Sequence, residues 1–348
     1  MLIGHDAAME SGVADQESGA IPVWEDLAAA RERIRGAVLR TPVLESHDLA
    51  RETGAARLFL KCENLQWTGA FKVRGALNAV LGLSAEEAVR GLVTHSSGNH
   101  GAALAWAGGQ RAVAVSVVMP EDSPPEKVQG VRRQGGQVEF SGVNPGDRES
   151  TVAALAARTG AVMVHPYDDA RIVCGQATAT MELLEDAAEL DLIVVPVGGG
   201  ALVSGAILAV QGMPGVRGVE VIGAEPALAD DAYRSWKTGK RMAAEASDTI
   251  ADGLRAGLGR LNFAIISRGI RTIVPVSEEA IRRAMALLFR WSKVVAEPSG
   301  AVGLAALLEH EKEFSGRRVG VILSGGNIEL ERFSALASGT PGNGLGER

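Results

Sequence analysis

The chain has 348 residues, of which 46% are hydrophobic and 22% charged, so it can bury a large core and divide into two compact lobes. A formal net charge of -7 without any run of basic residues argues against nucleic acid or another polyanion as the partner. The two cysteines, Cys62 and Cys174, lie far apart, which fits neither a disulfide framework nor a zinc cluster and is typical of a reducing compartment.

Both ends of the chain are predicted to be tails. Residues 1–20 are polar and lack the basic start and apolar run of a signal peptide, and residues 339–348 are rich in glycine. Glycines and charges interrupt every apolar stretch before it becomes long enough to cross a bilayer. We therefore expect a cytoplasmic protein that acts on a small molecule and binds neither membrane nor nucleic acid.

Between the tails the sequence predicts an α/β fold with open, mainly parallel sheets. Apolar residues at helical spacing predict an opening helix over residues 24–39. Short aliphatic runs then alternate with longer helical segments, as in parallel strands joined by helical crossovers, at residues 91–94, 112–119, 161–164, 192–197, 219–224 and 318–323. We assign residues 91–168 to a small domain and residues 21–90 and 169–338 to a large one.

A single lysine follows a glycine-containing turn in the segment Thr68-Gly69-Ala70-Phe71-Lys72. The pattern after Lys72 predicts a helix that runs to about residue 83. A lysine near the positive end of a helix and partly removed from water has a lowered pKa and can act as an amine nucleophile. Position alone favours an ordinary solvated lysine at a helix start.

A glycine-rich loop follows the predicted strand at residues 192–197. Gly198, Gly199 and Gly200 precede Ala201 and Leu202 at the start of a helix. Backbone N–H groups in such a loop, together with a helix N-terminus, form a cradle for a phosphate. A dinucleotide fold is the rival interpretation, but the G-x-G-x-x-G spacing and its acidic partner are absent.

Two more polar loops follow predicted strands. The segment His95-Ser96-Ser97-Gly98-Asn99-His100-Gly101 supplies hydroxyl, amide and backbone donors before a helix, as a carboxylate or a ring hydroxyl requires. The segment Ser324-Gly325-Gly326-Asn327 presents a serine where parallel sheets bind ligands.

In combination, these motifs resemble the fold-type II pyridoxal-phosphate enzymes, in the branch of threonine/serine dehydratases and serine racemases. The resemblance covers residues 25–335 and includes three further motifs, Arg74-Gly75-Ala76, Thr249-Ile250-Ala251-Asp252-Gly253 and Glu297-Pro298-Ser299-Gly300-Ala301. It implies two open-sheet α/β domains with the cofactor in the cleft between them.

The resemblance also implies roles for individual residues. Lys72 is the Schiff-base lysine, with Phe71 packed beside the ring. The other residues expected to contact the cofactor are Asn99 at the ring hydroxyl, Ser324 at the ring nitrogen, the backbone of Gly198, Gly199, Gly200, Ala201 and Leu202 at the phosphate, and Glu297. The substrate carboxylate is expected to bind Ser96, Ser97, Asn99 and His100, with Arg148 as a further contact.

The implied reaction removes water and ammonia from a β-hydroxy amino acid and yields a keto acid, with Lys72 as general base. Ala70 stands where the family usually has serine, which argues against threonine as the substrate. The expected substrate is of the threonine/serine type, and a dehydratase specialised for hydroxyaspartate, phenylserine or a hydroxyectoine-derived amino acid is the alternative.

A divalent cation, Mg²⁺, Ca²⁺ or Mn²⁺, is implied at the acidic turn after residue 224. Glu225, the carbonyl of Ala229 and Asp231 match the cation site of this branch, and hard oxygen ligands suit these ions. From the local sequence alone, a solvated acidic turn is the competing interpretation.

Three other functions remain open. Racemisation requires Ser97 to return a proton on the face opposite Lys72. A β-replacement enzyme that forms cysteine fits the acidic turn and the Thr-Ile-Ala-Asp-Gly segment less well, and a non-catalytic sensor has little need of Lys72. The resemblance further implies a homodimer or a homotetramer.

Overall fold

The computed structural model describes residues 20–96, 98–187 and 189–338, and the predicted tails at residues 1–19 and 339–348 lie outside this part. Its strands are β1 (Val43–Glu45), β2 (Arg57–Cys62), β3 (Leu92–His95), β4 (Val115–Pro120), β5 (Gln137–Ser141), β6 (Val162–Met163), β7 (Leu192–Pro196), β8 (Glu220–Pro226), β9 (Thr272–Val276) and β10 (Arg318–Leu323).

The α-helices alternate with these strands. They are α1 (Trp24–Ile34), α2 (His47–Thr53), α3 (Lys72–Leu81), α4 (Ala85–Arg90), α5 (Asn99–Gly109), α6 (Pro125–Arg133), α7 (Pro145–Thr159), α8 (Ala170–Asp186), α9 (Ala201–Gly212), α10 (Asp231–Thr238), α11 (Arg260–Gly269), α12 (Glu278–Leu287), α13 (Pro298–Glu309), α14 (Glu311–Phe314) and α15 (Leu330–Ser338).

The strands form two sheets. The larger sheet has the order β1-β2-β10-β7-β8-β9, and the smaller sheet has the order β5-β4-β3-β6. Every pair is parallel except β1 with β2. Loops that leave the carboxyl ends of neighbouring parallel strands meet at one edge of a sheet, where α/β proteins bind their ligands.

Alternating side chains of each strand in the larger sheet enter two different hydrophobic clusters. In β7, Ile193 and Val195 join the cluster that extends to the smaller sheet, whereas Leu192 and Val194 join the cluster beneath α12 and α13. Both faces of the sheet are therefore buried, which explains why β7 is a continuous aliphatic run.

Several predicted elements differ in extent from the observed ones, among them the opening helix, β4 and α3. The opening helix ends at Ile34 rather than near residue 39, because Gly36 adopts a left-handed conformation with φ +75°. The strand predicted from residue 112 starts at Val115, since Ala112 has φ +53°. Helix α3 ends at Leu81, two residues before the predicted end.

The strands of the smaller sheet all lie between residues 92 and 163, inside the predicted small domain, whose boundaries remain a prediction. Among the described helices, none combines the length and the apolar character that crossing a membrane requires.

Candidate functional site

Lys72 is the first residue of α3, and its side chain is half-buried. The amine donates a hydrogen bond to the carbonyl of Pro166 at 3.0 Å and lies 5.1 Å from the centre of the Phe71 ring. Burial lowers the pKa of the Lys72 amine to about 8, because no carboxylate in the described part of the chain favours the charged form. A substantial fraction of the amine is therefore neutral near physiological pH and can act as nucleophile or base.

The turn before Lys72 is joined to the loop after β10. The backbone N–H of Phe71 donates to the carbonyl of Ser324 at 3.0 Å, and Ala70 forms a backbone bridge with Gly325. These contacts bring Ser324, which is 5% exposed, next to the start of α3. The two motifs lie some 250 residues apart in the sequence and form one wall of the site.

The glycine-rich loop between β7 and α9 presents a row of backbone donors. In the part of the chain that the structure describes, the N–H groups of residues 198–202 donate to no protein acceptor. Gly200 has φ +95°, and a Cβ on Gly199 would lie 2.2 Å from Cγ of Tyr167, so a larger residue fits at neither position. Free N–H groups at a helix N-terminus suit a phosphate, and the loop therefore fits the expected cofactor.

Asn99, the first residue of α5, lies in a chain of hydrogen bonds. Its Nδ2 donates to Oε1 of Glu297 at 2.7 Å, and its Oδ1 accepts from Nδ2 of Asn327 at 2.8 Å. Glu297 is 7% exposed, and burial, with repulsion from Asp252, raises the pKa of its carboxyl to about 8. The structure thus brings Asn99, Glu297 and the loop of Ser324 together.

The expected carboxylate-binding residues extend from the smaller sheet. Ser96 accepts a hydrogen bond from the N–H of Gly98 at 3.2 Å, while Ser97 lies outside the described residues. His100 is 2% exposed, and burial, with the charge of Lys72, holds its pKa well below the usual value. Arg148 on α7 is half-buried, forms no ion pair among the described residues and lies near enough to help lower the pKa of His95.

Sequence reasoning assigned no role to three aromatic residues beside this wall. The His165 ring lies edge-on to His95 at 5.2 Å and to Tyr167 at 4.5 Å between ring centres. Burial, with repulsion from His95, lowers the pKa of His165 to about 4, and burial raises the pKa of Tyr167 to about 12. The available signal was the position of these residues at the end of β3 and just after β6, at the carboxyl edge of the smaller sheet.

A buried charge network beneath α3 was also missed. Arg74 forms bidentate ion pairs with Glu63 (2.7 and 2.8 Å) and with Glu182 (2.8 and 2.7 Å). The Nζ atom of Lys61 lies 2.5 Å from Oε2 of Glu182. Arg74, Glu63 and Lys61 are fully buried. Although burial opposes ionisation, the charge and hydrogen bonds of Arg74 lower the pKa of Glu63 below its usual value.

The acidic turn that begins at the end of β8 also contains buried carboxylates. Glu225 is fully buried and accepts hydrogen bonds from the N–H groups of Ala232 (3.0 Å) and Tyr233 (2.8 Å). Burial, with repulsion from Asp231, raises the pKa of Glu225 well above its usual value, and burial also raises the pKa of Asp231. Neither carboxylate forms an ion pair with any residue that the structure describes. Ala229 lies between them in a short 3₁₀ turn.

The acidic turn is connected to the glycine-rich loop through one short segment. Asp231 Oδ2 accepts a hydrogen bond from the N–H of Leu258 at 3.0 Å, and the N–H of Gly259 donates to the carbonyl of Gly199 at 3.1 Å. Asp231 is therefore linked to the glycine-rich loop through Leu258 and Gly259. In the described residues no cluster of three or more His, Cys, Asp and Glu side chains could hold a metal; the expected cation site has two carboxylates and a carbonyl.

Comparisons with known proteins agree with this geometry. A family model described as pyridoxal-phosphate dependent enzyme matches residues 34–325. The chain is 45% identical over 314 residues to a beta-hydroxyaspartate dehydratase of Paracoccus denitrificans (strain Pd 1222), covering 90% of this chain and 98% of that protein. It is 44% identical over 307 residues to a serine racemase of Arabidopsis thaliana, covering 86% and 92%. The crystal structure of serine racemase from Dictyostelium discoideum superposes with a TM-score of 0.84 at 40% identity, covering 89% and 100%.

Proposed function

Because the chain belongs to the pyridoxal-phosphate dependent enzyme family, we propose that it removes water and ammonia from a β-hydroxy amino acid, with β-hydroxyaspartate as the preferred substrate. The comparisons with known proteins confirm the predicted family and the α/β fold class. The observation that carries the function is the Lys72 amine, half-buried and hydrogen-bonded to a backbone carbonyl, with its pKa lowered to about 8. An amine in that state can bind a carbonyl and then act as general base.

The residues around Lys72 fit the cofactor. When bound, pyridoxal phosphate withdraws electrons from the α-carbon of an attached amino acid, which makes the α-proton removable. The free N–H groups of residues 198–202 would hold the phosphate, Phe71 would pack beside the ring and Asn99 would donate to the ring hydroxyl. The Ser324 hydroxyl would serve the ring nitrogen without the charge that an aspartate would bring, which would favour prompt loss of the β-hydroxyl.

Arg148 supports an acidic substrate. It is a half-buried cation without a carboxylate partner among the described residues, and it lies beside His95. A partly desolvated guanidinium is stabilised by a carboxylate. In our proposal Ser96, His100 and the backbone of Asn99 hold the α-carboxylate, and Arg148 holds the second carboxylate that β-hydroxyaspartate has and serine lacks. The similarity to a beta-hydroxyaspartate dehydratase supports the same substrate.

Racemisation is the second candidate function, favoured by the 44% identity to a serine racemase. It requires an acid opposite Lys72, and Ser97 is the residue we propose for that role. The two reactions share proton removal by Lys72 and diverge afterwards, because a β-hydroxyl that leaves at once gives no time for reprotonation.

We further propose a divalent cation between Glu225, the Ala229 carbonyl and Asp231. The support is that two buried carboxylates, both with raised pKa, lie together without a protein cation, which Mg²⁺, Ca²⁺ or Mn²⁺ would supply. The ion orders Leu258 and Gly259 and, through them, the phosphate loop, without touching the substrate. A cytoplasmic location, a homodimer or homotetramer and a small domain over residues 91–168 complete the proposal; free, buried Cys62 and Cys174 accord with that location.

The test is the release of keto acid and ammonium from L and D forms of β-hydroxyaspartate, serine, threonine and phenylserine, with chiral analysis of the remaining amino acid. We expect equal amounts of keto acid and ammonium, with the highest kcat/KM for β-hydroxyaspartate. Inversion of serine without ammonium would instead establish the racemase.

Arg148→Met tests the substrate assignment. Losing a charge-assisted hydrogen bond of about 1.5–3 kcal/mol raises KM for β-hydroxyaspartate roughly 10- to 100-fold and leaves KM for serine nearly unchanged. Arg158→Met, an exposed position near the end of the same helix, is the matched control. Equal changes in KM for both substrates would remove Arg148 from the carboxylate site.

A further inference from the structure

Asn327 connects two parts of the site, the turn before Lys72 and the start of α5. Its Nδ2 donates one hydrogen bond to the backbone carbonyl of Thr68 at 2.7 Å and another to Oδ1 of Asn99 at 2.8 Å. Both N–H groups of this amide are thereby used. One contact reaches the turn before Lys72, and the other reaches the expected partner of the cofactor's ring hydroxyl.

The turn that Asn327 holds has an unfavourable backbone conformation. Thr68 has φ +58°, a left-handed conformation that costs a β-branched residue roughly 1–3 kcal/mol and persists only when its surroundings impose it. The next residue, Gly69, has φ +75°, and a Cβ there would lie 2.3 Å from Oδ1 of Asn327. Glycine is required for this approach, and the approach fixes the turn three residues before Lys72.

The Asn327 amide also determines the orientation of the Asn99 side-chain amide. A backbone carbonyl can only accept, so the contact with Thr68 requires nitrogen rather than oxygen at that end of the Asn327 amide. The Asn99 atom that faces this nitrogen must then be an acceptor, its oxygen. Consequently the Asn99 nitrogen faces Glu297, to which it donates at 2.7 Å.

An amide nitrogen carries two N–H groups, and Glu297 takes one of them. The second N–H of Asn99 has no acceptor among the residues that the structure describes. Asn99 therefore offers a donor to a ligand. A donor at the ring hydroxyl stabilises the ionised form of that hydroxyl, because hydrogen bonds to a charged form favour it.

We propose that Asn327 is a positioning residue that joins the left-handed turn before Lys72 to Asn99 and sets Asn99 as a hydrogen-bond donor to the ring hydroxyl of pyridoxal phosphate. The proposal rests on the cofactor assignment above and extends it to a residue that touches neither cofactor nor substrate. Removing the Asn327 amide leaves the Asn99 amide free to rotate and weakens the constraint on the turn.

The experiment compares Asn327→Ala, Asn99→Ala and the double variant as holoenzymes. The readouts are the visible absorbance spectrum and the dissociation constant of pyridoxal phosphate from the apoprotein. We expect Asn327→Ala to shift absorbance from the long-wavelength band of the ionised ring hydroxyl to the shorter-wavelength band of the neutral one. Loss of one hydrogen bond of about 1.4 kcal/mol would weaken cofactor binding about tenfold.

The double variant distinguishes positioning from a general loss of structure. If Asn327 acts through Asn99, the double variant binds cofactor no more weakly than Asn99→Ala, whereas independent effects multiply. Asn99→Asp, which removes the donor while Asn327 stays intact, gives the same band shift even if Asn327→Ala folds poorly.

Two outcomes overturn the inference: a wild-type spectrum and affinity in Asn327→Ala, or multiplicative effects of the two single variants. A colourless wild-type protein is a different failure, since it would remove the cofactor assignment on which the inference rests.

Discussion

Two groups of buried carboxylates in this molecule differ in the partners that surround them. Glu63 and Glu182, beneath α3, share two-pronged ion pairs with Arg74, and Lys61 completes the charge balance. Glu225 and Asp231, at and after the end of β8, are as deeply buried but receive only backbone N–H groups. The pKa of Glu63 is lowered, whereas the pKa values of Glu225 and Asp231 are raised.

The difference separates a site that the protein completes by itself from one that requires an ion. An isolated buried carboxylate is costly, and it is stabilised by a protein cation, by a bound cation or by a proton. The first solution fixes α3 and hence Lys72. We propose the second solution, a bound cation, at Glu225. Glu297 illustrates the third, since its pKa is raised to about 8 beside a neutral amide.

The largest expected effect is on the completed network. Arg74→Met leaves two buried carboxylates with one lysine between them, and breaking a buried ion pair costs about 3–5 kcal/mol. Denaturant unfolding should report a loss of this size in the free energy of unfolding. The control, Arg35→Met, removes an exposed pair with Glu32 and should change it by about 0.5 kcal/mol or less. A similar small change in Arg74→Met would show that the network adds little stability.

The next effect is that of the cation. At a concentration 100 times its dissociation constant, a bound ion stabilises the folded protein by about 2.7 kcal/mol. We expect chelation to lower the melting temperature of the wild type and Mg²⁺, Ca²⁺ or Mn²⁺ to restore it. Glu225→Gln should abolish this response, while the control Glu245→Gln, at an exposed carboxylate, should retain it. A wild-type protein indifferent to chelator would eliminate the site.

A further effect concerns the proton on Glu297. Because the folded-state pKa, about 8, is raised above the ordinary 4.5, the folded protein holds this proton more tightly than the unfolded chain. The resulting stability is complete below pH 4.5 and is lost as the pH rises to about 8. Glu297→Gln keeps the acceptor for Asn99 but has no proton to lose. Its free energy of unfolding should therefore fall less than that of the wild type between about pH 5 and pH 8, and parallel curves would contradict the raised pKa.

The sequence predicted the elements whose residues follow the expected patterns. Strand β10 was predicted with its observed limits, because an aliphatic strand buried on both faces gives an unbroken apolar run. Strand β2 was missed since it contains the buried Lys61, whose partner Glu182 lies 121 residues away. Strand β9 was missed because it contains Pro275, and proline in a sequence argues against a strand. The structure places β9 at the edge of the sheet, where proline is tolerated.

The same limit applies to the site. Motifs revealed Lys72, the glycine-rich loop and Ser324, because each lies in or directly after a loop with its own local signal. The roles of Asn327, His165 and Tyr167 depend on contacts between distant segments, such as Asn327 with Thr68 or Tyr167 against Gly199. No local pattern encodes such contacts. The assigned site residues remain predictions until they are tested.

The most direct test of the central claim is to reduce the purified yellow protein with borohydride, digest it and locate the pyridoxyl group by mass spectrometry. Reduction fixes the cofactor to the amine that carries it. We predict one modified residue, Lys72, and no modification in Lys72→Ala. A pyridoxyl group on another lysine, or none in the wild type, would contradict the account.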